Sequence, residues 1–424
     1  MNTLQEWLSW LEKLHPNEID LGLERVTRVA AKADLLQLSS QVSSRGSSRI
    51  VTVGGTNGKG SCVKTIESLC LDLGLKVGAY TSPHFLHFNE RIRVNGNPVA
   101  DDMLIAAFQF IQQQRDGTSL TYFEYTTLAA LHIFKQAQLD IIVLEVGLGG
   151  RLDAVNIVEP DVAIVATVAL DHEDYLGPDL NVIGFEKAGI FRAGKPAICG
   201  DANVPASVKD TALAKGASWY LAGEHFGYRE DQYSWDWFGK HGSTHVVLDK
   251  LAKPELPLVS VSCALQALCC LDIVLDPTKL NLSLQKLSLT GRYQRANYQQ
   301  TPIILDVAHN PAAAHYLADK IRLRENQPVV AVTAIMGNKD LAGIVAPLIP
   351  LIKNWYLAPL PLNPRAAMPE KIGRELELQG VNQYHCCGSV VDAFQLAVLQ
   401  AQQSAGIVLV FGSFFTVTEI LPLL

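Results

Sequence analysis

Residues 50–61, IVTVGGTNGKGS, join an apolar run to glycines, one lysine and hydroxyl side chains. Glycines accept positive φ angles and let consecutive N–H groups face one anion, and a following helix adds the positive end of its dipole. A lysine at this spacing reaches terminal phosphates, and a serine or threonine hydroxyl binds Mg²⁺. We predict a phosphate-binding loop with Lys59 as its cation and Ser61 or Thr56 as its hydroxyl. The predicted nucleotide contacts are Gly55, Thr56, Asn57, Gly58, Lys59, Gly60 and Ser61.

The spacing of this loop departs from the common phosphate-loop pattern. Three residues separate Gly54 from Gly58, and Gly60 stands between Lys59 and Ser61. The common pattern has four residues between its glycines and places the hydroxyl directly after the lysine. The loop therefore predicts nucleotide binding, but the spacing disfavours a generic kinase or GTPase.

The flanking segments have the patterns of the elements that such a loop needs. Residues 50–53 read as a buried parallel strand, and the apolar positions from Val63 to Leu73 recur at helical spacing. Two more apolar strands, at 141–146 and 162–168, lead to Glu145 and to His172. In open α/β sheets the carboxyl ends of strands line the ligand crevice. We therefore expect Glu145 and His172 to converge on the phosphate loop.

The polar groups at these strand ends suit a metal ion. Ser82, Glu145, His172 and phosphate oxygens form a plausible octahedral Mg²⁺ environment, although imidazole is an unusual ligand for so hard a cation. His172 alone equally fits a histidine hydrogen-bonded at a strand end. Lys187 lies in residues 183–200, which are predicted as a helix followed by a strand, and a lone lysine on a helix indicates a solvated charge. Residues 20–26, DLGLERV, indicate a helix start with Asp20 as the N-cap.

Length and pattern predict two α/β domains. A chain of 424 residues exceeds what one hydrophobic core usually supports. The first domain, 1–289, is predicted as an ATP-binding, P-loop-type, doubly wound and mostly parallel sheet, and 290–298 as a linker. The second domain, 299–424, repeats an apolar strand that ends in polar groups and then alternates strands with helices. It is predicted as a smaller Rossmann-like domain without the G-x-G-x-x-G fingerprint.

Composition excludes several classes of protein. The net charge of −7 argues against nucleic-acid binding, because phosphate backbones select basic surfaces. The sequence has no apolar run long enough to cross a membrane and begins with an amphipathic helix, so we expect a cytoplasmic protein without a membrane partner. Its eight cysteines have no C-x-x-C spacing and are predicted to be reduced, mostly buried thiols. A serine-rich segment at 39–48 is predicted as a connection, and we expect a monomer.

Several short motifs stand in one order along positions 55–311. They are GTNGKGS, TSPH, Glu145 with GLGGRLDA, LDH, EKAGIF, GR and DVAHNP. Together they resemble the Mur ligase family of ATP-dependent amide-forming enzymes. Within it they resemble the folylpolyglutamate synthase and dihydrofolate synthase branch, because the loop ends in GKGS. The resemblance covers nearly the whole chain and implies that L-glutamate is joined to dihydropteroate and to reduced folates through an acyl phosphate.

The resemblance also implies roles for individual residues. Ser82, Glu145 and His172 would hold Mg²⁺, with K⁺ or another monovalent cation as a further candidate, and Lys187 would be carbamylated and catalytic together with Lys59 and His172. Arg292 and Asp306 match nucleotide positions, and His309 is near enough to help with phosphate. Ser260 stands where the family places an asparagine for the adenine. The implied pterin-side residues are Asp20 to Val26, Thr121, Tyr122, Phe123, Glu124, Leu152, Asp153 and Ala154.

Two alternatives remain open from the residues. One is a glutamate-adding folate enzyme without dihydropteroate activity. The other is a P-loop switch protein that binds a nucleotide and has no ligase chemistry. The strand ends that carry Glu145 and His172 favour an enzyme, because ionisable groups at such positions usually serve chemistry.

Overall fold

The computed structural model describes residues 1–38, 42–43 and 46–424. The serine-rich connection predicted at 39–48 therefore lies partly outside the described residues. The chain divides into two compact units, Met1–Leu287 and Ser288–Leu424.

The strands of the first unit form one large sheet, one three-stranded sheet and one short pair among the described residues. The strands are β1 (Val42–Ser43), β2 (Gly46–Ser47), β3 (Arg49–Gly54), β4 (Val77–Tyr80), β5 (Ile92–Val94), β6 (Asn97–Pro98), β7 (Ile141–Glu145), β8 (Val162–Val165), β9 (Pro196–Cys199), β10 (Ser218–Leu221), β11 (Gly227–Glu230), β12 (Ser234–His241) and β13 (Thr244–Ala252). The large sheet has the order β10-β9-β8-β3-β7-β4-β5-β6, in which β10 to β4 are parallel and β5 and β6 are antiparallel.

The register of the large sheet brings the predicted strand ends to one edge. β3 lies between β7 and β8, with Val53 opposite Glu145 and Gly54 opposite Val165. Every residue of β7 and β8 is buried, as the continuous apolar runs of parallel strands require when both sheet faces are covered. The phosphate loop, Glu145 and the segment after Val165 therefore leave the sheet side by side.

The first unit contains ten α-helices among the described residues. They are α1 (Leu4–Leu11), α2 (Glu24–Lys32), α3 (Lys59–Asp72), α4 (Asp101–Gln114), α5 (Tyr122–Ala137), α6 (Glu173–Leu176), α7 (Leu180–Ala188), α8 (Ala206–Ala214), α9 (Leu258–Cys270) and α10 (Pro277–Lys286). The prediction of Asp20 as an N-cap is wrong. Helix α2 begins at Glu24 without a side-chain cap, and Asp20 instead pairs with Arg25.

The second unit is a smaller α/β sheet. Its strands are β14 (Gln294–Tyr298), β15 (Thr301–Leu305), β16 (Val329–Thr333), β17 (Ile352–Leu357), β18 (His385–Cys386) and β19 (Ile407–Phe411), in the order β14-β15-β19-β16-β17-β18. Its helices are α11 (Pro311–Arg324), α12 (Leu341–Val345), α13 (Pro369–Leu378), α14 (Val390–Ser404) and α15 (Phe414–Ile420). Residues 294–298, predicted as part of a linker, form β14, which pairs antiparallel with β15.

Two further sequence-based expectations concern single features. In the described part of the chain, no helix is long and apolar enough to span a bilayer. The cysteines are free thiols, and all are buried except Cys386, which is exposed, and Cys387, which is half-buried.

Candidate active site

The phosphate loop joins β3 directly to α3. Gly55 and Gly58 have φ angles of 137° and 87°, at which a residue with a side chain would be strained. A Cβ atom at Gly58 would also lie 2.6 Å from the Ser260 hydroxyl oxygen. Helix α3 begins at Lys59, so the N–H groups of its first turn face the loop. The Lys59 ammonium donates to the carbonyl oxygens of Gly55 (3.0 Å) and Thr56 (3.2 Å), which holds its charge at the loop.

The segment after β8 fastens the first half of this loop. The Thr56 hydroxyl donates to the carbonyl oxygen of Ala169 and accepts from its N–H, both at 3.0 Å. The Thr167 hydroxyl accepts from the N–H of Asn57 and donates to its carbonyl oxygen, also at 3.0 Å. The sequence did not single out Thr167, although a hydroxyl directly after an apolar strand that ends at the site was a usable signal. Since the Thr56 hydroxyl is already engaged, Ser61 is the better candidate for a metal.

Two hydroxyls close to the loop are buried and have no hydrogen-bond partner among the described residues. They are the Ser61 and Ser260 side chains, each 1% exposed. A buried hydroxyl without a partner costs free energy, so its presence beside a phosphate loop points to a ligand. Ser61 lies in the first turn of α3, where a cation bound to phosphates would sit. Ser260 lies against Gly58, behind the loop.

Ser82 and Glu145 meet at the same sheet edge. Glu145 ends β7 and is 4% exposed, and its carboxylate accepts a hydrogen bond from the Ser82 N–H at 3.3 Å. His172 precedes α6, with a φ of 53° and an exposed side chain, because β8 ends at Val165 rather than at the predicted residue 168. Among the described residues, no group of three His, Cys, Asp or Glu side chains could hold a metal. One carboxylate, hydroxyls and phosphate oxygens are the donor set that Mg²⁺ commonly takes, so the residues present fit such an ion.

Lys187 is buried, not solvated as its helical pattern indicated. It is 4% exposed near the C-terminal end of α7. Burial, together with the charge of Lys59, lowers the pKa of its ammonium to about 7, and Asp171 opposes the shift. An amine with this pKa is largely neutral at slightly alkaline pH. Lys187 and Lys59 therefore lie close enough to repel each other when both are charged.

The loop after β7 is shaped by Asp153. Its carboxylate accepts hydrogen bonds from the N–H groups of Gly147 (3.0 Å), Leu148 (2.9 Å) and Val155 (3.0 Å). Burial raises the pKa of Asp153 to about 6, and these hydrogen bonds and the charge of Lys59 oppose the rise. The flanking Leu152 is half-buried and Ala154 is buried. Asp153 therefore fixes the conformation of the predicted substrate loop.

The structure brings two of the predicted pterin-side segments together. Thr121 caps α5, and its hydroxyl accepts from the Glu124 N–H while the Glu124 carboxylate accepts from the Thr121 N–H. The same carboxylate accepts from the Arg25 guanidinium at 2.9 and 3.0 Å, and Arg25 also binds Asp20. The segment 20–26 and the start of α5 are thus held by one ion-pair network.

A histidine that the sequence analysis left without a role lies near Ser82. The Arg91 guanidinium donates to Nδ1 of His84 at 2.8 Å and stacks on the rings of Phe88 and Tyr122. Burial and the charge of Arg91 lower the pKa of His84 to about 4. Because Nδ1 accepts, the neutral imidazole carries its proton on Nε2. The Tyr122 contact links this loop to the predicted substrate segment, in which the Phe123 ring packs against Gly147.

The second unit gathers its predicted nucleotide residues at the start of its sheet. The Asp306 carboxylate accepts from the N–H groups of Tyr293 and Ala308, both at 2.8 Å, and burial raises its pKa against the opposing charge of Arg292. Arg292 lies over the Phe414 ring at 5.1 Å. His309 Nδ1 lies 2.7 Å from the Val307 carbonyl oxygen. A carbonyl only accepts, so Nδ1 carries the proton and Nε2 of the neutral ring is an acceptor.

Comparison with known proteins finds full-length relatives. The Mur ligase, glutamate ligase domain family matches residues 291–414. The chain is 42% identical over 422 residues to the dihydrofolate synthase/folylpolyglutamate synthase of Escherichia coli K12, covering 99% of this chain and 95% of the relative. It is 38% identical over 435 residues to the Haemophilus influenzae protein of the same name, covering 98% and 96%.

Solved structures agree with these relatives. The Escherichia coli FolC structure in complex with DHPP and ADP has a TM-score of 0.91 at 41% identity, covering 99% of this chain and 97% of that one. The Yersinia pestis bifunctional folylpolyglutamate synthase/dihydrofolate synthase, complexed with AMPPNP and a Mn ion, has a TM-score of 0.89 at 40% identity, covering 100% and 98%. These likenesses extend over both units of the chain.

Proposed function

The chain belongs to the dihydrofolate synthase/folylpolyglutamate synthase family of Mur ligases, and from this premise we propose how its residues perform the family reaction. The protein is an ATP-dependent ligase that joins L-glutamate to dihydropteroate and extends reduced folates with further glutamate. The observation that carries this proposal is the sheet edge at which the phosphate loop and Glu145 lie side by side, with the buried Lys187 close enough to Lys59 for their charges to interact.

The reaction needs an activated carboxylate. An oxygen of the pterin-linked carboxylate takes the γ-phosphoryl group of ATP, and the bond to the β-phosphate oxygen breaks to release ADP. The amine of glutamate then attacks the acyl carbon, the bond to phosphate breaks, and the amine loses a proton. Lys59 and the N–H groups of the loop meet the negative charge that develops on the transferring oxygens. The protein's contribution is therefore position and charge rather than a covalent nucleophile.

The candidate ligands of a divalent cation are Ser61, Ser82, Glu145 and His172. When bound, such an ion neutralises the oxygens of the β- and γ-phosphates. Glu145 supplies the buried carboxylate and orients the Ser82 backbone through its hydrogen bond. We keep His172 as a catalytic and metal-binding candidate, and K⁺ or another monovalent ion as a further cofactor of the site. Arg292, Asp306 and Ser260 remain proposed contacts of the nucleotide, and His309 of phosphate.

Lys187 has the properties that carbamylation requires. A neutral amine attacks CO₂, forms a C–N bond and releases a proton, which leaves a carbamate anion. Its pKa of about 7 provides that neutral amine near physiological pH. The anion also replaces a repulsion between Lys187 and Lys59 by an attraction, and gives the site a second carboxylate-like ligand. We therefore propose that Lys187 is modified in the active enzyme.

The rate of ligation should depend on bicarbonate and on pH through Lys187. Because the pKa of Lys187 is lowered to about 7, its reactive neutral form dominates above pH 7 and is lost as the pH falls below it. Initial rates in CO₂-depleted buffer should rise several-fold when bicarbonate is added, and more at pH 8 than at pH 6. Lys187→Met should abolish the response. Equal rates with and without bicarbonate at pH 8 would exclude the modification.

The substrate side of the site is proposed from three restrained segments. The segment 20–26 and residues Thr121 to Glu124 are held together by the Arg25–Glu124 ion pair, and Leu152 to Ala154 are held by Asp153. We propose that these segments bind the pterin end of dihydropteroate and of reduced folates. We also propose a cytoplasmic monomer.

A phosphate-release assay tests the function. Purified protein with ATP and Mg²⁺ should release phosphate only when both L-glutamate and a pterin acceptor are present, and a peptidoglycan precursor should not replace the acceptor. Release with dihydropteroate and with tetrahydrofolate supports both activities. Release with tetrahydrofolate alone would select the folylpolyglutamate-only alternative. ATP turnover that ignores both substrates would select a nucleotide switch instead.

A further inference from the structure

A buried ion pair ties the loop that carries Ser82 to the helix that begins at Lys59. Glu67, on α3, is fully buried at 0% side-chain exposure, and Arg93, on β5, is 14% exposed. The Arg93 Nε atom donates to both carboxylate oxygens of Glu67, at 2.9 and 3.2 Å. We propose that Glu67 and Arg93 are positioning residues that set Ser82 at the proper distance from the phosphate loop. This inference rests on the proposed function.

A second nitrogen of the same Arg93 guanidinium holds the loop that carries Ser82. Its Nη1 atom donates to the Thr81 hydroxyl oxygen at 3.0 Å and to the Glu90 carbonyl oxygen at 2.9 Å. Thr81 directly precedes Ser82, and Glu90 closes the loop, since its carboxylate accepts from the N–H groups of residues 85, 86 and 87 at 2.7 to 2.8 Å. One guanidinium therefore joins both arms of the loop to a carboxylate on α3.

The Glu67–Arg93 ion pair links two elements that each carry a candidate metal ligand: α3 carries Ser61, and the loop after β4 carries Ser82. Glu67 lies eight residues after Lys59 on the same rigid helix, about two turns away. Ser82 follows Thr81, and its N–H donates to Glu145. A shift of the loop would move Ser82 relative to both Ser61 and Glu145. Groups that orient metal ligands without touching the metal typically change metal affinity by about 10–100-fold when they are removed.

A role in stability alone does not explain this pair. Apolar side chains of similar volume often replace a buried ion pair without loss of stability, because the desolvation cost offsets most of the attraction. They cannot, however, reproduce the directed hydrogen bonds from Arg93 to Thr81 and Glu90. Replacement of Arg93 by lysine tests these hydrogen bonds separately from the charge. Lysine keeps a positive charge beside Glu67 but lacks the planar group of donors that reaches Thr81 and Glu90.

The decisive measurement is Mn²⁺ affinity in the presence of saturating ADP, followed by electron paramagnetic resonance of free Mn²⁺. Glu67→Leu/Arg93→Leu should bind Mn²⁺ about 10–100-fold more weakly than the wild type. Its affinity for ADP in EDTA should stay within about twofold, and its thermal midpoint within a few degrees. Arg93→Lys should weaken Mn²⁺ binding by about tenfold. The control Arg322→Leu/Asp319→Asn, which removes an exposed ion pair from α11, should leave Mn²⁺ affinity unchanged.

Each result decides the inference independently of the ligase activity. Wild-type Mn²⁺ affinity in a folded double variant would overturn the positioning role. If the double variant does not fold, Arg93→Lys decides in its place, and unchanged Mn²⁺ affinity there would equally overturn it. Failure of the wild type to ligate glutamate would refute the proposed function, whereas the Mn²⁺ measurements would still decide the role of Glu67 and Arg93.

Discussion

Lys59→Ala is expected to lower kcat by about 10³-fold, in line with the loss of one cation that stabilises a transferring phosphoryl group. The Lys59 ammonium lies at the phosphate loop and donates hydrogen bonds to two loop carbonyls, at 3.0 and 3.2 Å. It is a half-buried side chain at the first residue of α3 and supports no apolar core. The thermal midpoint should therefore change by only a few degrees, because an ordinary hydrogen bond contributes about 1 kcal/mol.

The charge of Lys59 also acts on two neighbours. It lowers the pKa of Lys187 and that of Asp153, so its removal should raise both. A higher pKa at Lys187 leaves less neutral amine at a given pH, and the bicarbonate response should shift to higher pH in the variant. This shift separates an electrostatic contribution of Lys59 from a merely steric one.

A matched control is Lys209→Ala, which removes an exposed lysine from α8. It should leave kcat and the bicarbonate response unchanged. The measurements are steady-state phosphate release, ATP-analogue binding and thermal unfolding on all three proteins. A loss of ten degrees or more in Lys59→Ala, or a kcat within threefold of the wild type, would contradict the assigned role.

The sheet edge was predictable because its signals are local. An apolar run that ends in glycines or in a charged side chain predicts both a strand and the residue at which the strand ends. Examples are β3, which ends before Gly55, and β7, which ends at Glu145. The sequence pattern predicts a helix from Asp101 to Gln114, and α4 has these bounds, because Asp101 and Asp102 favour its start and apolar residues recur at helical spacing. Residues 121–125 are predicted to open a helix from Thr126 to Gln136, whereas α5 already begins at Tyr122 because Thr121 and Glu124 form a capping box.

What escaped prediction depends on pairs of residues that are distant in sequence. The burial of Lys187, the ion pair of Arg25 with Glu124 and that of Glu67 with Arg93 each require the packing of separate elements. The hydroxyl of Thr167 binds Asn57 across 110 positions. Strand β14 was interpreted as a linker because a short antiparallel edge strand has no continuous apolar run. No periodicity within one segment encodes such contacts.

Glu145→Gln is the second change from which a large effect is expected. The glutamine keeps the volume of the buried side chain and an oxygen that can accept from the Ser82 N–H, but it removes the carboxylate charge. If Glu145 binds the divalent cation, kcat should fall by about 10²–10³-fold and the Mg²⁺ concentration for half-maximal rate should rise. The fold should persist, since the shape of the strand end is unchanged.

Two comparisons make the Glu145→Gln result specific. Glu159→Gln changes a 70%-exposed carboxylate in the segment before β8, and it should leave both kcat and the Mg²⁺ dependence as in the wild type. Substitution of Mn²⁺ for Mg²⁺ should partly restore Glu145→Gln, because Mn²⁺ accepts neutral oxygen and nitrogen donors more readily than Mg²⁺ does. A variant with wild-type Mg²⁺ dependence and a lowered kcat would place Glu145 away from the metal. It would then act as an organiser of the Ser82 loop, and the metal would depend on Ser61, Ser82 and the modified Lys187.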